Sequence, residues 1–371
     1  MKNLFDHKAK ISRPAIKSGR VIVTSDVHAN IPYFEGLLNR LHFNNEDTLI
    51  IDEDFLEKGE KSLEMLRLLM DMSRGGNVYP TLGNCDEWQL IFDWGTEGDQ
   101  YMARYIRGKA KGRGLICDML RQCGVDPIKM ERLSDHLPEL KSRFTEEWDF
   151  LTSLPHAIET ENYVFAHAGM NGLKKLDENF ANELLMRDRF LDEGQCFSKW
   201  VVCGHWPCVL YHEKKVCANP IVDAEHRIIS IDGGCVLKDD GQLNALIIPN
   251  LAVSAAGSLE FDYYDPFPVK TITEDQAESS ESYYIRWGDS TVEVVERGEE
   301  FSRCRHVRTG YEMDILTKYL FTEERITGCN DCSDYVLPLK AGDRVSIVEE
   351  TSRGYYVKHN GVSGWYFGAL T

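Results

Sequence analysis

Apolar, β-branched runs alternate with segments of helical apolar spacing in the first part of the chain. The strand-like runs are RVIVTS (20–25), TLIIDED (48–54) and NVYPTL (77–82), and the helix-like segments are IPYFEGLLNRLHF (31–43) and KSLEMLRLLMDMS (61–73). A strand that is followed by a helix and then by another strand is typical of parallel pairing with a crossover helix. This order predicts an α/β fold in which a parallel sheet is covered by helices.

The middle of the chain changes character and then returns to strand patterns. Residues 88–150 are rich in charged residues and Leu, with helical spacing in GLICDMLRQCG and TEEWDFLTSL, and they predict a helical insertion. Strand patterns return in NYVFAHA (162–168), WVVCGH (200–205), RIISID (227–232) and LNALIIP (243–249). We therefore expect the main domain to span residues 1–254.

The chain after residue 254 has a different composition. The stretch TITEDQAESSES (271–282) is acidic, polar and Ser-rich, which is typical of a linker, and we assign 255–334 to a linker or β-rich extension. Residues 335–371 consist of short β-rich runs with Gly turns between them. This pattern predicts a small all-β module at the end of the chain.

The charge of the chain limits its partners. A formal net charge of −18 argues against nucleic acid as the main partner, because a phosphate backbone binds a basic surface. No apolar run approaches the roughly 18 residues of a membrane span, and the start MKNLFDHKAK lacks the apolar stretch of a secretory signal. We expect a cytoplasmic protein with no membrane partner, whose eleven Cys are thiols or metal ligands and not disulfides.

Metal-ligating residue types follow successive predicted strands, at the point where each strand ends. They are Asp26 and His28 in SDVHAN, Asp54 in DEDFLEKG, Asn84 in GNCD, His167 in FAHAG and His205 in CGHWP. Ligands of open α/β sheets bind beyond the carboxyl ends of the strands, so these side chains are expected to meet at one edge. Carboxylate and imidazole ligands suit Mn, Fe or Zn, and two such ions can share a bridging carboxylate. We therefore predict a site for two divalent metal ions.

These motifs resemble those of the calcineurin-like metallophosphoesterases, and within them the phosphoprotein phosphatase-like branch. The family's GDxHG, GDxxDRG, GNHE, HAG and GHTP motifs correspond to SDVHAN, EDFLEKG, GNCD, FAHAG and CGHWP. The stretch ISIDGGCVLKDDGQLNAL (229–246) is similar to the closing strand pair of bacterial members, so the resemblance covers roughly residues 20–250. It implies a β-sandwich flanked by helices.

The resemblance also implies roles for individual residues. Asp26, His28 and Asp54 would hold the first metal ion, Asp54 would bridge, and Asn84, His167 and His205 would complete the second site. Arg187 in LLMRDRF matches the Arg that clamps the phosphate, since a guanidinium fork suits two phosphate oxygens.

Several positions depart from the family pattern. Glu53 replaces the Gly before the bridging Asp, which adds bulk and charge beside the site. Glu57 and Lys58 replace an Asp-Arg pair, so a point charge replaces a fork for phosphate. Cys85 replaces the His that protonates the leaving group, and a thiol is a poor substitute for this task. Asp86 is an alternative acid, whereas a nucleophilic Cys85 is a weaker alternative, because metal-activated hydroxide already supplies the attack.

The resemblance implies a phosphoesterase that attacks phosphorus with a hydroxide activated by two metal ions. We expect phosphomonoesters as substrates, on a protein or a small molecule, with a Ser/Thr- or Tyr-type protein phosphatase as one form. GHW also occurs in symmetrical dinucleoside tetraphosphate hydrolases, and GNCD occurs in several bacterial phosphodiesterases, so both activities are alternatives. A further alternative, motivated by the departures, is a metal-bound scaffold of weak activity that recruits partners.

Two features of the C-terminal region carry further hypotheses. LKAGDRVSIVEE and GVSGWYFGAL resemble segments of bacterial Src-homology-3-like barrels, which bind peptides, so residues 335–371 are a candidate surface for a protein partner. CRH (304–306) and CNDC (329–332) offer the ligands of a Cys3His zinc site. Scattered thiols of a cytosolic protein explain the same pattern.

Overall fold

The computed structural model describes residues 5–16, 19–88, 95–252, 254 and 256–371. Residues 89–94 of the predicted insertion lie outside this part of the chain, as do residues 253 and 255 beside the predicted domain boundary. Within the described ranges, no helix has the length and apolar character needed to cross a membrane.

The described part of the chain contains eight α-helices and twenty-three strands. The helices are α1 (Ile31–Arg40), α2 (Ser62–Ser73), α3 (Asn84–Glu87), α4 (Gly95–Arg107), α5 (Leu115–Gln122), α6 (Leu137–Arg143), α7 (Thr145–Ser153) and α8 (Ala181–Leu185). The strands are β1 (Ile11–Ser12), β2 (Val21–Ser25), β3 (Thr48–Asp52), β4 (Val78–Pro80), β5 (Ala157–Glu159), β6 (Tyr163–Ala166), β7 (Trp200–Cys203), β8 (Val216–Cys217), β9 (Ile221–Asp223), β10 (Ile228–Ser230), β11 (Leu243–Ile248), β12 (Glu260–Tyr264), β13 (Val269–Thr271), β14 (Tyr284–Ile285), β15 (Val292–Glu296), β16 (Phe301–His306), β17 (Glu312–Leu316), β18 (Leu320–Glu323), β19 (Ile326–Cys329), β20 (Cys332–Ser333), β21 (Arg344–Thr351), β22 (Gly354–His359) and β23 (Val362–Tyr366).

Two sheets form the centre of the main domain. One has the strand order β12-β11-β2-β3-β4, in which β2, β3 and β4 are parallel and β11 and β12 are antiparallel. The other has the order β1-β5-β6-β7-β10-β9. Side chains of both sheets share one buried cluster, with Val23 and Ile50 from the first and Phe165 and Val202 from the second. The sheets therefore stack as the predicted β-sandwich, while the parallel pairing predicted for the first sheet is limited to β2–β4.

Helices cover the outer faces of the two sheets. Phe34 and Leu37 of α1 and Leu66 of α2 are fully buried in a cluster that also holds Ile51 of β3. On the second sheet, Leu184 of α8 belongs to the same cluster as residues of β6 and β7. Each fully buried side chain of this size contributes roughly 1.5–3 kcal/mol, so these apolar stripes hold the helices on the sheets.

The predicted helical insertion contains α4 to α7. Leu120 of α5 and Leu151 of α7 extend the hydrophobic cluster beneath α2. Arg67 on α2 pairs with the buried Glu147 on α7 at 2.7 Å. The insertion is therefore packed on the helical layer that covers the first sheet.

A second compact unit is built from Pro207–Asn219, Lys238–Asp240 and Asp265–Thr371. It contains a five-stranded sheet of order β13-β21-β22-β23-β8, the three-stranded sheet β15-β16-β17, and two-stranded pairs β14-β20 and β18-β19. Val345, Val357 and Tyr366 lie in the core of the larger sheet. Additional C-terminal strands were predicted and are present. The Src-homology-3-like assignment, the boundaries at 254 and 334, and the protein partner stay predictions.

The polar segment 271–282 takes part in this second unit. Its first residue ends β13, which pairs with β21. The side-chain amide of Gln276 donates to the carbonyl oxygens of Leu337 and Trp365 at 2.7 and 2.8 Å. The segment is therefore held to the second unit by hydrogen bonds from a polar side chain. Because the prediction of a linker relied on the lack of apolar residues, it did not indicate this attachment.

Candidate metal centre

The loops after β2 and β3 bring three predicted ligands to one edge of the first sheet. Ser25 at the end of β2 lies opposite Asp52 at the end of β3, so Asp26 and Asp54 leave the sheet at the same level. The backbone N–H of His28 donates to the carbonyl of Asp54 at 2.8 Å. The two loops are therefore fastened to each other by their backbones.

The backbone of these loops adopts an uncommon conformation. Asp26, His28 and Asp54 have φ values of 52°, 50° and 43°. Left-handed conformations of this kind cost roughly 1–3 kcal/mol per residue and persist where the surroundings impose them, often at functional sites. One such constraint is the backbone N–H of Asp26, which donates to the Glu53 carbonyl at 3.1 Å.

His167 lies at the centre of a second group of predicted ligands. Its Nε2 atom lies 2.8 Å from Asn84 Oδ1, 3.5 Å from Asp54 Oδ2 and 3.0 Å from His205 Nδ1. Asn84 begins α3, and the two imidazoles follow β6 and β7 of the other sheet. The loops of both sheets therefore converge, and Asp54 belongs to this group as well as to the first.

Asp26 and His28 complete the cluster. Asp26 Oδ1 lies 4.0 Å from His28 Nε2. Ligand atoms of Asp26, Asp54 and His167 lie within 4.8 Å of one another. The structure thus brings together all six residues that were predicted to bind metal.

Burial determines the protonation of these groups. The pKa of Asp26 is raised well above its usual range, first by burial and then by the charges of Asp232 and Asp54. Burial lowers the pKa of both His28 and His167, so each imidazole is neutral at pH 7 and has a lone pair. Buried carboxylates that face one another beside neutral imidazoles fit a divalent cation, which removes their mutual repulsion.

The glycines of the GN and GH motifs make room for the carboxylates. A Cβ atom on Gly83 would lie 2.0 Å from Asp54 Oδ1, and one on Gly204 would lie 2.0 Å from Asp26 Oδ2. Because no side chain fits at these distances, the backbone can approach the two ligands only where the residue is Gly.

Cys85 lies beside the first group of ligands. Its backbone N–H donates to Asp54 Oδ1 at 2.9 Å. Its Sγ atom, a His28 ring nitrogen and an Asp54 carboxylate oxygen lie within 4.8 Å of one another. Burial raises the pKa of the Cys85 thiol well above its usual range, and the Asp54 charge acts in the same direction.

Asp86 is engaged with the backbone of neighbouring loops. Its carboxylate accepts the N–H groups of Leu56 at 2.9 Å and Gly83 at 3.0 Å. Burial raises the pKa of this carboxyl well above its usual range. With both oxygens bound to backbone, the geometry favours a positioning role for Asp86 over the acid role that the sequence suggested.

Glu57 is covered by the helical insertion. The hydroxyl of Tyr105 on α4 donates to Glu57 Oε2 at 3.3 Å. A Cβ atom on Gly114, which has φ +109°, would lie 2.1 Å from Glu57 Oε1. Burial raises the pKa of Glu57 to about 8, and the charge of Lys58 opposes this shift. Lys58 itself is half-buried, and its charge also helps to lower the pKa of His28.

We expect Glu57→Gln to remove a pH dependence from the stability of the protein. Glu57 titrates at about 8 in the folded state and near 4.5 otherwise, so between these values the folded state keeps a proton that the unfolded state has lost. The free energy of unfolding of the wild type should therefore fall as pH rises, by up to ~1.4 kcal/mol per pH unit, and should level off above about pH 8. Urea unfolding of both proteins at about pH 5, 6.5 and 8 measures the difference. If the free energies of unfolding of the wild type and of Glu57→Gln differ by the same amount at all three pH values, the expectation is contradicted.

Glu53 adds a residue whose orientation the sequence did not indicate. Its Oε1 accepts the backbone N–H of His167 at 2.7 Å, and its Oε2 lies 3.4 Å from His167 Nδ1. The side chain is fully buried, and the backbone has φ 77°. Glu53 Oε2 and His167 Nδ1 do not form a hydrogen bond at this distance, so the carboxylate would act on the ring through its negative charge, which raises the basicity of a His that binds metal. The sequence showed that Glu53 stands where the family has Gly, but it did not indicate the proximity of Glu53 to His167.

Within the described part of the chain, Arg187 is connected to the cluster through its neighbour in the sequence. Its guanidinium pairs with Glu193, at 3.1 Å from Nε and 2.5 Å from Nη2. The next residue, Asp188, has its Oδ1 atom 3.4 Å from His205 Nε2. The guanidinium fork of Arg187 is therefore bound to a carboxylate, while the adjacent Asp188 contacts the candidate ligand His205.

A third group of metal-ligating residue types has a different chemistry. It consists of His7, Glu87 and His156. The backbone N–H of Lys10 donates to His156 Nδ1 at 2.7 Å, so Nε2 carries the proton of the neutral ring and donates to Glu87 Oε1 at 2.8 Å. Both ring nitrogens of His156 are used in this way, and we assign the group to hydrogen bonding and not to metal binding.

Three of the solved structures that are similar to this chain have 10–21% sequence identity to it. One is a provisionally assigned diadenosine tetraphosphatase, with 21% identity, a TM-score of 0.43, and coverage of 70% of this chain and 99% of that one. A serine/threonine phosphatase from Saccharomyces cerevisiae with similarity to human PP5 has 10% identity, a TM-score of 0.42, and coverage of 71% and 86%. A cold-active protein-tyrosine phosphatase of a psychrophilic Shewanella has 14% identity, a TM-score of 0.39, and coverage of 66% and 79%. Similarity at this level does not indicate a substrate.

The family comparison covers the region that contains the cluster. A search of curated proteins finds no match. The profile of the calcineurin-like phosphoesterases matches residues 19–218, which is more than half of the 371 residues. All six residues gathered at the sheet edges lie within this range. The chain therefore belongs to the calcineurin-like phosphoesterase family of metal-dependent hydrolases.

Proposed function

We propose that the protein hydrolyses phosphomonoesters with two divalent metal ions. Asp26, His28 and Asp54 would hold one ion, and Asn84, His167 and His205 would hold the other together with Asp54. The observation that carries this proposal is the position of Asp54, whose Oδ2 lies 3.5 Å from His167 Nε2 and which also has a carboxylate oxygen within 4.8 Å of a His28 ring nitrogen. Mn, Fe and Zn all suit these ligands.

The metal ions would supply Lewis-acid polarisation of the phosphate and a water molecule activated for in-line attack. The chain supplies the geometry, because the fastened loops hold the ligand atoms in place before substrate arrives. Lys58 would supply positive charge to the phosphate. Its charge acts to lower the pKa of both His28 and Cys85, which supports a position close to the cluster. Arg187 would clamp the phosphate after its guanidinium exchanges Glu193 for the substrate.

The proton donors near the cluster favour substrates with good leaving groups. The Cys85 thiol has a raised pKa, and the oxygens of Asp86 are bound to backbone N–H groups. A leaving group that departs as a stable anion needs little protonation, as is the case for aryl esters and phosphotyrosine. We therefore propose tyrosine-type or aryl phosphates ahead of phosphoserine.

The same weak proton donation favours a second candidate function. Hydrolysis of a phosphoanhydride releases a phosphate anion, which needs no protonation to leave. Dinucleoside polyphosphates are therefore the second candidate class of substrate, and activated diesters are the third.

A comparison of kcat/KM among substrates tests this proposal. The set consists of p-nitrophenyl phosphate, its bis ester, diadenosine tetraphosphate, and matched peptides that carry phosphotyrosine or phosphoserine, all with added Mn²⁺. We expect the monoester to exceed the bis ester and phosphotyrosine to exceed phosphoserine, each by about tenfold or more. A faster bis ester or tetraphosphate would replace the monoesterase with one of the alternatives. Equal rates on the two peptides would contradict the dependence on the leaving group.

A further inference from the structure

The thiol of Cys85 lies among the side chains of the proposed first metal site. Its Sγ atom, one ring nitrogen of His28 and one carboxylate oxygen of Asp54 all lie within 4.8 Å of one another. A tetrahedral ion with ligands at about 2.0–2.3 Å separates those ligands by roughly 3.3–3.8 Å. A contraction of about 1 Å would therefore close these three atoms around a single ion.

The backbone holds Cys85 in this place. Its N–H group donates to Asp54 Oδ1 at 2.9 Å, and the side-chain nitrogen of Asn84 lies 3.6 Å from its Sγ. Gly83, which precedes them, allows this turn to approach the Asp54 carboxylate. The thiol is thus fixed between residues that the proposed function already assigns to metal binding.

We propose that Cys85 binds the first metal ion as a thiolate, together with Asp26, His28 and Asp54. This inference rests on the proposed function, because it assigns an additional ligand to the same centre. On binding, the S–H bond breaks, its proton passes to solvent, and a sulfur lone pair forms the bond to the ion. No oxidation or reduction takes place.

A sulfur ligand changes which metal the site selects. Thiolate prefers Zn²⁺ and Co²⁺, whereas carboxylate alone suits Mn²⁺. Burial opposes ionisation of the Cys85 thiol in the protein by itself, but a bound cation reverses this preference and deprotonates a coordinating thiol. Cys85 would then act in metal selection, and no longer as the proton donor that its place in the motif suggested.

Absorption of the full chain loaded with Co²⁺ tests the proposal. A thiolate bound to Co²⁺ gives an intense near-ultraviolet charge-transfer band, whereas oxygen and nitrogen ligands do not. We expect this band in the wild type, its loss in Cys85→Ser, and its retention in Cys332→Ser. Cys332 is the matched control, because its Sγ lies 3.8 Å from that of Cys329 in the second unit. These two thiols are the other place where Co²⁺ could find sulfur ligands.

Metal affinity provides an independent measurement. Cys85→Ser should weaken Zn²⁺ binding at the first site by about tenfold or more and leave Mn²⁺ binding within about threefold. Cadmium NMR of the wild type reports sulfur coordination without any variant, so the test stands even if Cys85→Ser fails to fold.

Three results would overturn the proposal. They are bound Co²⁺ with no thiolate band, a band that disappears in Cys332→Ser but persists in Cys85→Ser, and a cadmium signal free of sulfur coordination. These results are separate from turnover. Phosphoester hydrolysis without a thiolate band would remove only Cys85 from the ligand set, whereas a Cys85-dependent band without hydrolysis would remove only the proposed function.

Discussion

Asp54→Asn should lower kcat/KM for p-nitrophenyl phosphate by about 10³-fold or more. Asp54 is the carboxylate that joins the two groups of ligands, with Oδ2 3.5 Å from His167 Nε2 and Oδ1 bound to the Cys85 N–H. An amide keeps the shape of the side chain but removes the charge that two cations would share. The measurement is the initial rate over a range of substrate concentrations at saturating Mn²⁺, which gives kcat/KM, with circular dichroism to show that the variant is folded.

Asp52→Asn is the matched control for this loss. Asp52 is the last residue of β3, two positions before Asp54, and it is fully buried. Burial raises its pKa well above the usual range, so an amide resembles its neutral form. We expect this control to stay within about threefold of wild-type activity. Equal losses in the two variants would show that the loop is sensitive to any substitution, and Asp54 would then lose its assignment as the shared ligand.

Glu53→Gln should weaken metal binding at the second site by about 10- to 100-fold. The Glu53 carboxylate lies 3.4 Å from His167 Nδ1 and accepts the His167 backbone N–H at 2.7 Å. Gln retains an acceptor for the backbone but no negative charge to hold the ring and increase its basicity. Calorimetric titration of the metal-free protein with Mn²⁺ or Zn²⁺ measures the change directly.

Glu147→Gln controls for the loss of a buried Glu elsewhere in the same domain. Glu147 on α7 is also buried and has its own partner, Arg67, at 2.7 Å. The Arg67 side chain is 47% exposed, so the replacement of Glu147 should lower stability only slightly and should leave metal affinity unchanged. If Glu53→Gln binds both ions as tightly as the wild type does, Glu53 is only a packing residue.

The strands next to the candidate site were predictable because their β-branched, apolar composition favours a buried strand. Val21–Ser25 and Thr48–Asp52 are fully buried, and a buried β-branched run bounded by polar residues is a strong strand pattern. The six candidate ligands could be named because they follow such strands. Their convergence across two sheets required the resemblance, since hydrophobic patterns alone do not show how sheets stack.

The details that the sequence did not indicate depend on side-chain direction. Glu53 was recognised as unusual, but its contact with His167 joins residues 114 positions apart. Asp86 was considered as an acid, yet its bonds to the N–H groups of Leu56 and Gly83 arise only when two loops meet. In the second unit, the Gln276 side chain attaches its segment by hydrogen bonds to backbone carbonyls. A hydrophobic periodicity does not indicate contacts of this kind.

The most direct test of the central claim is a metal titration of turnover. Metal-free protein would be titrated with Mn²⁺ in the presence of p-nitrophenyl phosphate, while bound metal is counted by elemental analysis. We predict no hydrolysis without metal and a rise to a plateau at about two ions per chain. Hydrolysis that survives chelation would contradict a metal centre at the sheet edges. Two bound ions with no hydrolysis of any phosphoester in the substrate set would contradict the enzyme and leave a metal-bound scaffold.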